Sequence, residues 1–198
     1  MRRLTILFVL FFIAYAANAE RPKEDTTYWK SKYESALGFS QTLLVNWVKG
    51  GEKTSYSTNF ILNIYKDYKR KNLSWNNYLG IAYGVAKQQS ITNLRKTDDK
   101  INFLTKGGIY AWKNWDSTGF FEFKSQFDEG YAYPNDSVHI SRFMAPGYFQ
   151  LSIGMNYKPV NYFSVFISPV GARLTVVTDS SLTHRKEGAY GIFGDSTT

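Results

Sequence analysis

The stretch Phe149-Gln150-Leu151-Ser152-Ile153-Gly154-Met155-Asn156-Tyr157-Lys158 alternates at every step. Its odd positions are Phe, Leu, Ile, Met and Tyr, and its even ones are Gln, Ser, Gly, Asn and Lys. Successive side chains of a β-strand point to opposite faces, so this run has one wholly apolar face and one polar or small face. The same period recurs along the chain. Trp75, Leu79, Ile81, Tyr83 and Val85 oppose Asn76, Gly80, Ala82 and Gly84, and Phe121, Phe123 and Phe127 oppose Glu122, Lys124 and Gln126. Phe163, Val165 and Ile167 share a face of the next run, after a short connection at Pro159-Val160-Asn161.

Polar or glycine-containing turns separate these runs, which predicts strands over 36–48, 54–68, 73–88, 99–113, 117–128, 147–158, 161–168 and 173–180. The fold class expected is all-β, an antiparallel meander of about eight strands of outer-membrane β-barrel type, closed or incomplete. The 99–113 run fits the pattern least well, because Leu104, Tyr110 and Trp112 share parity with Asn102 and Lys106. The longest link without strand pattern is 128–147, the candidate outer loop, since barrels have short turns at one end and long loops at the other.

The two ends of the chain differ. Arg2 and Arg3 precede the apolar run Leu4 to Ala14, followed by Ala17-Asn18-Ala19, the three parts of a cleaved export signal over 1–19. The run is shorter than the ~20 residues of a membrane-spanning helix. Residues 20–34 read as a polar leader with a short helical turn at Trp29 to Tyr33, and 35–198 as the β-domain. Export, with the outer membrane as destination and the periplasm as the alternative, follows from these features together.

Composition narrows the chemistry. With no cysteine, thiol catalysis and thiolate metal sites are excluded. The formal charge is +8, but no compact Arg/Lys stripe accompanies it, so nucleic acid is not an expected partner. The 15 Tyr, 15 Phe and 5 Trp exceed what a small aqueous core requires and suit the aromatic girdles of barrels.

Glu122, Lys124, Gln126, Gln150, Asn156 and Lys158 are the candidates for a polar lumen, with Glu122 and Lys124 placed to pair. Trp47, Gly50 and Gly51 read as an interfacial ring followed by a turn that uses glycine's freedom. Asp98 and Asp99 read as a strand start at the membrane edge neutralised by Lys96 and Lys100, with an oxygen-ligand calcium site as the alternative. His139, beside Asp136 and Ser137, is the residue on which a hydrolytic reading rests, although triads are defined by geometry and not by closeness in sequence. No cofactor is expected.

The set Asn46-Trp47-x-x-Gly50-Gly51, Lys96-Thr97-Asp98-Asp99-Lys100, Gln126-Phe127-x-x-Gly130-Tyr131-x-Tyr133-Pro134, Ala145-Pro146-x-Tyr148 and Tyr157-Lys158-Pro159 occurs in an order that resembles domain-of-unknown-function family 3078. Ser168-Pro169 and Gly188-Ala189-Tyr190-Gly191 extend the likeness, which runs from about Ala36 to Gly191. That family is one of uncharacterised Bacteroidota envelope proteins. The resemblance implies an outer-membrane β-barrel without established activity, and supplies no catalytic residues. It also implies further strands after the Gly-Ala-Tyr-Gly region, in which case the strands counted here form an open sheet with free edges. The expected function is therefore a structural or passive-transport role with no derivable substrate, and with outer-membrane lipid and the barrel-assembly machinery as partners. The alternatives are a soluble periplasmic β-barrel holding a small hydrophobic ligand and an outer-membrane lipid hydrolase using His139.

Overall fold

The computed structural model describes residues 28–44, 54–89, 93–133, 137–160, 162–183 and 189–191. Its elements are β1 (Trp29–Leu43), β2 (Thr54–Arg70), β3 (Leu73–Gln88), β4 (Arg95–Trp112), β5 (Trp115–Ser125), β6 (Gly130–Tyr131), β7 (His139–Ser141), β8 (Gly147–Val160) and β9 (Phe163–Val176), followed by one helical turn at Ser180–Thr183. The expected all-β antiparallel meander is what forms. Seven strands make one sheet in the order β1-β2-β3-β4-β5-β8-β9, every pair antiparallel, and β6 and β7 pair separately inside the 126–146 connection. Among the described residues no helix is long and apolar enough to cross a membrane, which says nothing about crossing by strands.

The strand count is seven rather than eight because the two last expected runs, 161–168 and 173–180, are one strand. Pro169 and Gly171 imply a break there, yet β9 absorbs them with a register shift opposite Ile153 and Met155. β9 is an edge strand among the described residues, so the N–H that Pro169 lacks is not missed by a neighbour. A second correction concerns 20–34. Trp29 to Glu34 is not a leader or a helical turn but the start of β1, pairing from Trp29↔Tyr68 to Glu34↔Asn63. Pro159 and Val160 belong to the end of β8 and not to the turn, with Val160 paired to Phe163.

The register aligns the two faces across all seven strands. Tyr33, Ile64, Leu79, Phe103, Phe123, Phe149 and Leu174 form one continuous row of cross-strand partners. On the opposite face the next row runs Lys32, Tyr65, Tyr78, Leu104, Glu122, Gln150 and Arg173. A slip of one residue anywhere would exchange the faces, so the alternation itself locks the pairing.

Burial is the reverse of a water-soluble sheet. Ile153 is 57% exposed and Val170 65%, both on the apolar face. The buried residues of the sheet are instead small or polar and, apart from Gly147 at the start of β8, sit on the other face: Ala82, Thr118, Ser152 and Asn156, together with Gly80, Gly84, Gly108 and Gly154. The largest fully buried side chain, Leu182, lies outside the sheet. Glycine has a specific use at Gly80, where a Cβ would collide with the hydroxyl of Tyr78 lying across it.

The sheet curls with its polar face concave. Lys106 on β4 donates from Nζ to Asn156 Oδ1 on β8 at 2.9 Å and lies 5.3 Å from the ring centroid of Phe166 on β9. In a flat sheet β9 would run ~14 Å from β4, at ~4.8 Å per strand. The ends also differ. Lys71-Asn72 and Lys113-Asn114 make two-residue turns, with left-handed φ at Lys71 (47°) and Asn114 (66°), while 44–53, 89–94 and 126–146 form the longer connections at the other end.

Candidate functional site

Where the strands converge at the short-turn end, the concave face holds a partly open cavity of about 760 Å³ lined by residues of all seven sheet strands, from Lys30 on β1 to Ser164 on β9. Its wall is built mainly from the polar-face positions that alternate with the exposed apolar ones, with Tyr68, Leu73 and Tyr110 adding apolar surface. Buried Thr118 and Asn156 form its floor, 2% and 7% exposed. Lys30, Lys69, Lys71, Lys106 and Lys158 bring amines to it, and Asp67 and Asp116 are its carboxylates. Asp67 accepts from Asn76 Nδ2 at 2.8 Å.

Outside this end, the apolar face carries a belt of rings. Trp29 lies 5.0 Å from Tyr68 and 5.8 Å from Trp75, and Trp115 lies 6.0 Å from Trp112 and 4.8 Å from Tyr157. Trp112 reaches that belt through a bulge. The register shifts between Tyr110, opposite Asp116, and Trp112, opposite Trp115, so two residues of equal parity take opposite faces. This removes the conflict in the 99–113 run for Trp112. Leu104 and Tyr110 remain on the polar face.

Of the sequence candidates, Glu122, Lys124, Gln150, Asn156 and Lys158 lie on the polar face, and Asn156 and Lys158 line the cavity. Lys124 pairs with Glu122 at 2.8 Å, the pairing expected within one strand. Gln126 differs. It lies just beyond β5, where its Nε2 donates to the carbonyls of Arg142 and Ala145 at 3.1 and 3.2 Å and its Oε1 accepts from Ser141 Oγ at 3.1 Å. It fastens the 126–146 connection rather than lining the cavity. Trp47, Gly50 and Gly51 lie outside the described residues.

The carboxylates Asp98 and Asp99 do not act together. Asp98 is exposed opposite Gly84, whereas Asp99 is committed at both oxygens. It accepts the backbone N–H of Phe127 at 2.8 Å and of Asp128 at 2.9 Å, and pairs with Lys96 at 2.7 Å. Lys96 also donates to the Asp128 carbonyl at 2.7 Å, so the pair pins the start of the long connection to β4. Three of the roughly four acceptor positions of Asp99 are taken by these partners, and Lys96 matches its charge.

His139 has partners that no local motif reveals. Asp136 is outside the described residues. His139 Nε2 instead lies 2.7 Å from Asp179 Oδ2 and 3.3 Å from Ser181 Oγ, both 40 or more residues away. Ser181 donates to Asp179 Oδ1 at 2.6 Å, and Arg142 approaches Oδ2 at 3.4 Å. The Ser181 hydroxyl first and His139 second hold the Asp179 carboxyl well below the usual carboxylate range, against the opposing effect of burial. A hydrolytic triad serves its acid and its nucleophile from two different ring nitrogens. Here one nitrogen faces both, and the serine proton is directed at the aspartate. The cluster ties the chain after β9 to the 126–146 connection.

The cavity lysines Lys30, Lys69, Lys71 and Lys106 were not among the sequence candidates. Their signal was parity: Lys30, Lys69 and Lys106 sit on the polar face near strand ends, and Lys71 sits in the adjacent turn.

Comparison with known proteins gives a family match. Residues 39–131, a little under half of the chain, match the model of a family described as protein of unknown function (DUF3078). The matched stretch runs from within β1 to β6. No curated protein and no solved structure matches the chain significantly.

Proposed function

We propose that the chain is a DUF3078 family member and an exported protein of outer-membrane β-barrel type, embedded with its apolar face toward lipid, with a structural or passive-transport role and no catalytic one. The observation that carries this reading is the inverted burial. Leu151 and Ile153 are 51% and 57% exposed, while Ser152 and Asn156 on the same strand are buried. Leaving rows of large apolar side chains in water across seven strands forfeits ~25 cal/mol for each Å² not removed from it. Hydrocarbon relieves that penalty. The inner strands keep their backbone donors paired within the ladder, while β1 and β9 are edges among the described residues, so spanning a bilayer requires them to pair with further strands or another chain. The belt of Trp29, Trp75, Trp115 and Tyr157 near the short turns fits the interfacial position that amphipathic rings favour.

Short turns at one end and long connections at the other support the reading, since outer-membrane barrels have the same asymmetry; on this reading the 126–146 connection faces the outside of the cell. Delivery to that membrane makes the barrel-assembly machinery a partner. The polar concave face then becomes the interior, with Glu122, Lys124, Gln150, Asn156 and Lys158 facing it.

Cell fractionation followed by carbonate washing and detergent extraction tests the reading. The protein is expected to stay with the membrane until detergent is added, and to run faster on a gel unheated than boiled. Recovery in the soluble periplasmic fraction would overturn it.

A further inference from the structure

We propose that the cavity at the short-turn end is a binding site for a small oxyanion, a phosphate or carboxylate group, with Lys106 as its principal ligand and Lys158 beside it. The proposal names the solute class of the concave interior, and rests on the membrane reading only for the route by which the ion arrives. Five lysines and two aspartates line one partly open cavity. Among the described residues, none of the five lies within 4.0 Å of a carboxylate, although other lysines of the polar face do: Lys32 pairs with Glu34 and Lys124 with Glu122.

Lys106 is the most constrained of the five. Its amine is held by a neutral partner, Asn156 Oδ1 at 2.9 Å, beneath the ring of Phe166. Asp116 and, to a lesser degree, Lys158 are near enough to act on it electrostatically. A half-buried ammonium whose hydrogen-bond partner is a neutral amide, and which no carboxylate approaches within 4.0 Å among the described residues, is only partly compensated by the more distant Asp116, and an anion supplies the missing charge. Lysine amines are compact, strongly hydrated point charges with three donors, suited to the oxygens of phosphate and carboxylate. Thr118, Ser164 and Asn76 add polar groups to the same wall. A space of about 760 Å³ admits a small solute and not a folded macromolecule. The lysine excess also argues against a cation, which needs carboxylate ligands in the majority.

The test is calorimetric titration of the full chain in detergent, or in buffer if it proves soluble, with inorganic phosphate and separately with acetate, at low ionic strength. Saturable binding of either ion is expected, and which of the two binds identifies the group. Lys106→Gln should weaken that binding about tenfold or more, the effect of one charge-assisted hydrogen bond, and Lys158→Gln by less. Asp116→Asn should tighten it, and Lys124→Gln, on the same face but already paired, should leave it unchanged. Absence of saturable binding by both ions would overturn the proposal. So would binding that Lys106→Gln leaves intact while gel mobility and circular dichroism report a native fold. Equal loss in the Lys124→Gln control would overturn it as well, since that points to net charge and not to a site. Failure of the membrane reading is scored separately by fractionation, and leaves each of these outcomes readable.

Discussion

On β8, Ile153 and Asn156 are three residues apart and live in opposite surroundings: the large apolar side chain is 57% exposed and the polar amide 7%. Buried small or polar residues of the concave face recur on β3, β4, β5 and β8, whereas β1, β2 and β9 have none buried. In a water-soluble sheet the concave or covered face holds the apolar residues. Here the concave face is charged and the convex one aromatic and aliphatic, so the difference identifies which solvent each face is built for. It also explains why the small residues gather on one side. Gly80, Ala82, Gly84 and Gly154 lie where side chains converge, and the rings lie where space opens outward.

The strongest way to break this contrast is to put one charge on each face of the same strand. Ile153→Arg should abolish or severely reduce assembly into membranes, since an arginine on a lipid face near the bilayer midplane costs ~2–4 kcal/mol. Gln150→Arg, exposed on the polar face, should assemble normally. Membrane-fraction yield and heat-modifiable mobility read both. Equal behaviour of the two variants would remove the distinction between the faces.

A smaller effect separates two glycines. A Cβ on Gly154 would run into the backbone of Ile167 and Ser168, whereas at Gly119, on the apolar face, nothing lies within 4 Å. Gly154→Ala should therefore destabilise by about 1–3 kcal/mol, the usual cost of overpacking. Gly119→Ala should be close to neutral. Urea unfolding in micelles, followed by tryptophan fluorescence, compares them.

These positions also show what the sequence made legible. Period-two alternation located the meander and both faces, because strand geometry projects directly onto residue parity. It failed where geometry departs from strict parity or where an edge relaxes the rules. Trp112 changed face through a bulge, β9 ran through Pro169 because an edge strand can spare a donor, and the charged start of β1 looked like a leader although Lys30, Lys32 and Glu34 already alternate with Trp29 and Tyr33. The site was less legible still. His139 was visible, but Asp179 and Ser181 reach it only after the chain has passed through two more strands of the sheet. The lysines of the cavity come from separate strands and turns, and only curling of the sheet collects them.

The two ends of the sheet differ in how they are held, and acid tests this. The long-connection end is tied by Asp179 to His139, Ser181 and Arg142. A carboxyl whose folded value is depressed contributes stability that is fully present above its unfolded value and lost as pH falls through the folded one. The tie should thus hold at neutral pH and weaken only below about pH 3.9, the ordinary aspartate value. Asp179→Asn should loosen the 126–146 connection at every pH, by about 1–2 kcal/mol for a lost charge-assisted bond. Protease cleavage within that connection, at pH 7 and again in acid with pepsin, reads both effects. Cleavage of Asp179→Asn no faster than of the parent at pH 7 would rule out the tie.

The smallest effect sharpens the comparison of faces most, because it asks whether the concave face is wet. Glu122 and Lys124 pair at 2.8 Å with side chains 13% and 50% exposed. If water fills the concave side, the half-exposed lysine is screened and Glu122→Gln should cost under about 1 kcal/mol. If that side is dry, removing one partner leaves a buried charge uncompensated, and the loss rises to about 3–5 kcal/mol. The two regimes do not overlap, so one unfolding curve in micelles decides between them. We expect the smaller value, because a face bearing Lys106 without a carboxylate within 4.0 Å among the described residues needs water or an anion to be stable at all.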